Sequence, residues 1–231
     1  MYGYDSTYLL VILGLVLGML AQSGVKRAYE TYSRVHTQAG IPASSMVQDL
    51  LRRNGNDRVT VQKIAGSLTD HYNPADETLS LSEGVYASDS VAAVAVAAHE
   101  AGHAMQKMDA YAPLTLRSIS VPVVNFGSQA AMPIFFVGLI MSFRPLVYLG
   151  IGLFGLSVFF SLITLPVELD ASHRALKMLE AGEYLNAEEM VGAKKVLCSA
   201  AMTYVASALA SLLNLARLLM IAQRGNRNRE R

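Results

Sequence analysis

The chain has 231 residues, of which 52% are apolar and 16% are charged, and its formal net charge is +1. Soluble domains carry about 25% charged residues, so this composition predicts a membrane protein. The near-zero net charge gives no basic surplus that would favour nucleic acid as a partner. The single cysteine, Cys198, excludes an internal disulfide.

Residues 6–25 contain no charged side chain, and they are long enough to cross a hydrocarbon core of about 30 Å. No basic segment precedes this run, so we expect a retained transmembrane helix and not a cleaved signal peptide. Lys26 and Arg27 follow at once. Because positive charge is enriched on the cytoplasmic side, the N-terminus is predicted outside the cell and the next segment in the cytoplasm.

Residues 26–117 are the extended polar region, and we predict that they form the main extramembrane domain. Helical periodicity favours an amphipathic helix over residues 44–53. Short strands are predicted at 59–61 and 78–82, with a turn at 73–76 before the second strand. An exposed strand here could pair with an extended peptide, and the alternative is an ordinary hairpin that covers a helix.

The motif that carries chemistry is His99-Glu100-Ala101-Gly102-His103. Residues four apart lie on one face of a helix, so both imidazoles can reach one metal ion with Glu100 beside it. Ser88-Asp89-Ser90 offers capping side chains, and residues 91–98 are only Ala and Val, which favours a buried helix. The alternative is a core helix with hydrogen-bonded histidines, in which Glu100 would be a buried charge without a partner.

A catalytic zinc site takes three protein ligands and leaves one position for water, so a third ligand is needed. Residues 118–143 and 145–167 are uncharged and each is long enough to span, which predicts a transmembrane hairpin over 118–167. A hairpin returns the chain to the side that it left. Glu168 therefore emerges on the side of the two histidines and is the predicted third ligand, although a glutamate exposed to interfacial water remains the alternative.

Residues 168–195 are predicted to be a helical segment that carries this ligand, followed by a C-terminal membrane helix over 196–222 and a basic tail over 223–231. Four spans counted from an outside N-terminus would leave the basic tail outside, where positive charge is disfavoured. Either the last apolar run is not a simple span, or the charge rule fails at this end.

The histidine motif, the hairpin and Glu168-Leu169-Asp170-Ala171-Ser172 resemble the YugP-like family of neutral zinc metallopeptidases, which are bacterial integral-membrane proteins. The resemblance extends to residues 68–74 and 81–86. In layout the chain is also similar to the HtpX-like and CAAX-processing membrane proteases, where a hairpin likewise separates the histidine motif from a glutamate ligand. The HtpX-like pattern has an aspartate four residues after that glutamate, where this chain has Ser172, and Asp170 points to a different helix face from Glu168.

The resemblance implies a gluzincin-like metalloendopeptidase in which His99, His103 and Glu168 hold one Zn²⁺ per chain and Glu100 acts as the base. The predicted fold is mainly α, a multi-span helical membrane protein with a small α+β zincin-like domain. Its expected partners are a protein or peptide substrate and the lipid bilayer. We expect a multi-pass protein of the cell membrane with a cytoplasmic catalytic domain that cleaves substrates at or near the membrane.

Several polar residues could stabilise the transition state or orient a ligand. Arg174 could instead simply pair with Asp170 four residues before it. The sequence does not choose among the candidates, which are His71, Tyr72, Asp170, Ser172, His173 and Arg174.

Two other classes of function are compatible with a metal-binding motif in a membrane protein. A non-hydrolytic metal-binding membrane protein, such as a transporter or sensor, would have no role for Glu100. A structural assembly subunit would tolerate substitution at both Glu100 and Glu168. Transport is disfavoured because the predicted spans contain few ionisable residues and no paired charges that would mark an ion path.

Overall fold

The computed structural model describes residues 7–227, with side chains described as far as residue 223. Ser6 of the predicted first span and residues 228–231 of the predicted basic tail lie outside the described residues. Within the described part, the chain forms α1 (Tyr8–Tyr32), α2 (Ala43–Arg53), β1 (Thr60–Ile64), β2 (His71–Asn73), β3 (Thr78–Ser82), α3 (Glu83–Tyr86), α4 (Val91–Met108), α5 (Ala112–Ile140), α6 (Arg144–Ala181) and α7 (Ala187–Arg227).

Four of the described helices, α1, α5, α6 and α7, are long and apolar enough to cross a membrane. Together with a three-stranded sheet, they make the protein a mainly α membrane protein with a small α+β part, which confirms the predicted fold class. The last apolar run is contained in α7, so it is helical throughout and long enough to span.

The long helices continue past several predicted boundaries. Helix α6 is continuous from Arg144 to Ala181, so the second half of the predicted hairpin and the start of the predicted segment 168–195 belong to one helix. The predicted segment 168–195 is instead divided between the end of α6 and the start of α7. Pro166 lies inside α6 without ending it, because membrane helices tolerate proline where neighbouring groups satisfy the freed carbonyl.

The sheet has the order β1-β3-β2, with β1 parallel and β2 antiparallel to the central β3. Strand β3 matches the predicted strand, whereas β1 begins one residue later than predicted and extends to Ile64. Strand β2 was not predicted. It places Tyr72 opposite Leu79, and the side chains of Leu79 and Leu81 are fully buried.

The described residues divide into two compact units. The first contains the described residues of the stretches 1–20, 116–165 and 203–231. Its helices approach closely at glycines: a Cβ added to Gly150 of α6 would lie 2.7 Å from the backbone nitrogen of Phe135 on α5. Phe135 packs with Val147, Ile151 and Leu218, so small residues and interlocking apolar side chains hold these helices together.

The second unit contains residues 21–115 and 166–202, with α4 at its centre. Most of α4 is buried, because its first two turns contain only Ala and Val and can accept neighbours on every side. Ser90 caps this helix by accepting a hydrogen bond from the Ala93 amide at 3.2 Å. The apolar face of α2 packs into the same core through Met46, Val47, Leu50 and Leu51.

Candidate metal centre

Helix α4 presents His99 and His103 on one face, with their ring centroids 4.8 Å apart in an edge-to-face arrangement. Helix α6 brings Glu168 to them. Its Oε2 lies 3.2 Å from Nε2 of His99 and 3.5 Å from Nε2 of His103. One donor atom from each residue lies within 4.8 Å of the others, close enough for all three to bind a single ion.

The donor set fits zinc. Two imidazole nitrogens and one carboxylate oxygen are a known composition of catalytic zinc sites. Glu168 is only 2% exposed, and a carboxylate that is buried so deeply needs a compensating positive charge. Burial alone would lower the pKa of His103, but the hydrogen bond to Glu168 and the negative charges of Glu100 and Glu168 outweigh it and raise that pKa. The same concentration of negative charge favours a bound cation.

A glycine inside the motif allows the two helices to meet. A Cβ added to Gly102 would lie 2.4 Å from the carbonyl oxygen of Ala171 and 3.0 Å from its carbonyl carbon. These atoms belong to the backbone of α6 and cannot swing aside. Gly102 therefore permits the close approach that places Glu168 beside the histidines.

Glu100 lies next to this cluster and outside the group of three. Its Oε2 accepts a hydrogen bond from the backbone amide of Tyr72 on β2 at 2.9 Å, so the unpredicted strand fixes one carboxylate oxygen.

The pKa of the Tyr72 hydroxyl is raised to about 12 by burial and by the charges of Glu77 and Asp76, so this group stays protonated at neutral pH. His71 is exposed, and its Nδ1 lies 2.9 Å from the carbonyl oxygen of Thr69.

Both candidate ligand histidines are held through their second nitrogen. The hydroxyl of Ser172 lies 3.1 Å from Nδ1 of His99. Nδ1 of His103 lies 3.0 Å from Oε1 of Gln106. Such partners fix the orientation of a metal-binding imidazole and determine which of its two nitrogens carries the proton.

Gln106 is completely buried and had not been singled out in the sequence. Its Nε2 donates to the carbonyl oxygen of Val167 and to Oδ2 of Asp170, both at 2.8 Å. Both partners are acceptors, so they fix which end of the amide carries the nitrogen, and Oε1 must face His103. Nδ1 of His103 therefore carries the proton, and Nε2 is free to bind a metal.

Asp170, which accepts from Gln106, also forms an ion pair with Arg174. Nε of Arg174 lies 2.7 Å from Oδ2 of Asp170, the pairing that their spacing on α6 predicts, and Arg174 also pairs with Asp109. Its guanidinium stacks 5.8 Å from the ring centroid of Tyr111. His173 is exposed and takes part in none of these contacts.

The fold and the cluster define a class of protein: a helical membrane protein whose small α+β part brings two histidines and a glutamate together beside a second glutamate. The chain belongs to the family described as "Putative neutral zinc metallopeptidase", whose model matches residues 7–223. It is similar to "Putative membrane protease YugP" of Bacillus subtilis (strain 168), with 43% identity over 216 residues that cover 94% of this chain and 96% of that protein. No solved structure matches the chain.

Proposed function

We propose that the protein is a zinc-dependent peptidase of the gluzincin type that hydrolyses peptide bonds of proteins or peptides at or near the membrane. The observation that carries the proposal is the convergence of His99, His103 and Glu168, with the carboxylate of Glu100 beside them and outside the donor group. The descriptions of the family and of the related protein support the same activity.

Nε2 of His99, Nε2 of His103 and the carboxylate of Glu168 would hold one zinc ion and leave a fourth position open. When bound, zinc supplies a Lewis acid that polarises a carbonyl group and acidifies a water molecule. Ser172 and Gln106 keep the two imidazoles oriented with Nε2 toward that ion.

Glu100 is the proposed general base. It takes the proton from the attacking water and delivers it to the leaving amine. The amide of Tyr72 binds Oε2, so the carboxylate has one fixed oxygen and one that remains to accept the proton. A metal-binding or assembly protein would not need a carboxylate in this position.

The developing oxyanion requires a further donor. Arg174 is committed to two aspartates, whereas β2 reaches the metal centre through the Tyr72 amide that binds Glu100, so the residues on β2 are stronger candidates than Arg174 and His173. Tyr72 remains a hydrogen-bond donor far above neutral pH because of its raised pKa. Tyr72 and His71 are therefore the candidates that we favour.

We place the catalytic part in the cytoplasm of a multi-pass protein in the cell membrane. Lys26 and Arg27 directly follow the first apolar run, and residues 26–117 carry nine of the nineteen Lys and Arg residues. Glu168 directly follows an uncharged stretch of the same helix, residues 145–167. This placement favours substrates at the membrane surface over substrates free in solution.

The proposal is tested by cleavage of an unstructured protein such as casein with the zinc-loaded, detergent-purified protein. Glu100→Gln should retain zinc and lose at least about 100-fold in activity, since general base catalysis contributes about 10²–10⁴-fold. Glu83→Gln, an exposed glutamate on α3, is the matched control and should remain active. Undiminished cleavage by Glu100→Gln would contradict Glu100 as the base, and no cleavage by the zinc-loaded wild type would contradict a hydrolase and favour a sensor, a transporter or an assembly subunit.

A further inference from the structure

A cavity of about 420 Å³ lies beside the C-terminal half of α4 in the second unit. One wall is α4, where Ala104, Lys107 and Met108 follow Glu100 by four, seven and eight residues and so share its helix face. The lining also includes Tyr72, whose amide binds Glu100. The cavity therefore begins about one helical turn, roughly 5 Å, from the proposed base.

The cavity is held in shape by a contact between two elements. The segment after α2 contributes Asn56 and Arg58 to its lining. The side chain of Asn56 is buried, and its Nδ2 donates to the carbonyl oxygen of Ala104 at 3.4 Å and contacts Sδ of Met105. This contact ties the segment to α4 and keeps Arg58 on the same cavity as Lys107.

The lining carries more positive than negative charge. Arg58 and Lys107 are exposed, and none of the described carboxylates lies within ion-pair distance of either. Glu77 is the acidic residue of the lining. Asp76 is close by but does not line the cavity, and its Oδ1 is engaged by the amide and hydroxyl of Thr78. Two cations and one carboxylate leave the lining with one surplus positive charge.

We propose that this cavity is a substrate subsite that binds a carboxylate group of the peptide through Arg58 and Lys107. The carboxylate belongs either to an acidic side chain near the scissile bond or to a free C-terminus, since both present the same group. Arg58 offers the planar fork that matches a carboxylate, and Lys107 adds a point charge from the last turn of α4. The inference deepens the proposed peptidase function and rests on it.

The experiment measures binding of fluorescent peptides to zinc-loaded Glu100→Gln, together with cleavage by the wild type. One peptide series differs only by an internal Glu, Gln or Lys. A second series, which contains no acidic side chain, differs only by a free or amidated C-terminus. We expect the carboxylate form of one series to bind and react about tenfold better, the size of one charge-assisted hydrogen bond. The series that shows the preference identifies the source of the carboxylate.

The preference must depend on the two cations. Arg58→Glu with Lys107→Glu should abolish or reverse it, whereas Arg52→Glu with Lys177→Glu, which changes the net charge equally at exposed positions outside the cavity, should preserve it. Arg58→Gln with Lys107→Gln provides a milder test if the reversed pair folds poorly. Equal binding of acidic and neutral peptides in both series, or a preference that survives both cavity variants, would overturn the proposal. Continued cleavage of neutral peptides would then leave the peptidase function standing.

If no peptide is cleaved but carboxylate peptides bind to Glu100→Gln through Arg58 and Lys107, the subsite is supported and the peptidase function alone fails.

Discussion

The hydroxyl oxygen of Ser172 lies 3.1 Å from Nδ1 of His99, four residues beyond Glu168 on α6. The HtpX-like pattern, which this chain resembles in layout, has an aspartate at this position, and here a neutral hydroxyl makes the contact with the histidine. The partner of His103 is also neutral, namely the amide of Gln106. Both candidate ligand histidines are thus oriented without an additional negative charge.

The contact from Ser172 predicts a specific loss of metal affinity. Ser172→Ala leaves Nδ1 of His99 without this partner, and the loss of such a group costs about 10- to 100-fold in metal affinity. Competition with a chelator of known zinc affinity would measure the change. Ser161→Ala, which removes another hydroxyl from α6 that has no contact with a histidine, should bind zinc like the wild type. Equal affinities for the Ser172 variant and the wild type would show that this hydroxyl does not orient the imidazole.

Gln106 is expected to act on both stability and metal affinity. Gln106→Leu keeps the volume but leaves Nδ1 of His103, the carbonyl of Val167 and one acceptor of Asp170 without the amide. Each buried group left unsatisfied costs about 1–3 kcal/mol. Thermal unfolding with and without zinc, followed by circular dichroism, should show a lower midpoint and a weaker stabilisation by zinc. Gln62→Leu, which removes a single hydrogen bond from an exposed glutamine to Ser80, is the control; an equal effect of both changes would argue against a specific role.

Gly102 is expected to tolerate no side chain. Gly102→Ala would press a methyl group against the backbone of Ala171 and push α4 away from α6. Overpacking of this kind costs about 1–3 kcal/mol, and the displacement should also weaken zinc binding. Gly24→Ala on α1 meets no atom within 4 Å and is the matched control. If Gly102→Ala binds zinc and unfolds like the control, the close helix contact is not needed for the site.

Tyr184 gives a prediction for alkaline pH. Its hydroxyl donates to Oδ2 of Asp49 at 2.5 Å, and burial, this hydrogen bond and the charge of Asp49 raise its pKa to about 12. Because the folded-state pKa lies above the ordinary value of about 10, the contribution is complete below pH 10 and is lost as the pH rises through 12. Tyr184→Phe should therefore be less stable than the wild type at pH 8 by about 1 kcal/mol.

The difference between the two unfolding midpoints should shrink between pH 10 and pH 12, because the wild type then loses the same contact. Comparison with Tyr184→Phe at each pH removes the effect of other titrating groups. A difference that stays constant up to pH 12 would show that Tyr184 does not titrate with a raised pKa.

The sequence was sufficient for the parts of the fold that depend on local pattern. Four candidate spans could be predicted because each contains an uncharged run long enough to cross a membrane. Helix α4 could be predicted from the run of Ala and Val before His99. The approach of Glu168 to the histidines was also inferred, because a hairpin must return the chain to the same side.

Features that depend on contacts between distant residues could not be inferred in this way. Strand β2 has three residues, which are too few to show the alternation of apolar and polar side chains that predicts a strand. The groups that it contacts, strand β3 and the carboxylate of Glu100, lie elsewhere in the chain. Gln106 is not a metal-ligand type of residue. Its place three residues after His103 was the available signal, since residues three apart share a helix face.

The most direct measurement is the zinc content and zinc affinity of the purified protein for the wild type, Glu168→Ala and Glu180→Ala. Glu180 lies on the same helix and is exposed, so its substitution controls for loss of a carboxylate from α6. We expect about one zinc per chain in the wild type and the control, and a large loss of affinity in Glu168→Ala. Zinc held by Glu168→Ala as tightly as by the wild type would contradict the three-residue metal centre on which the proposed function depends.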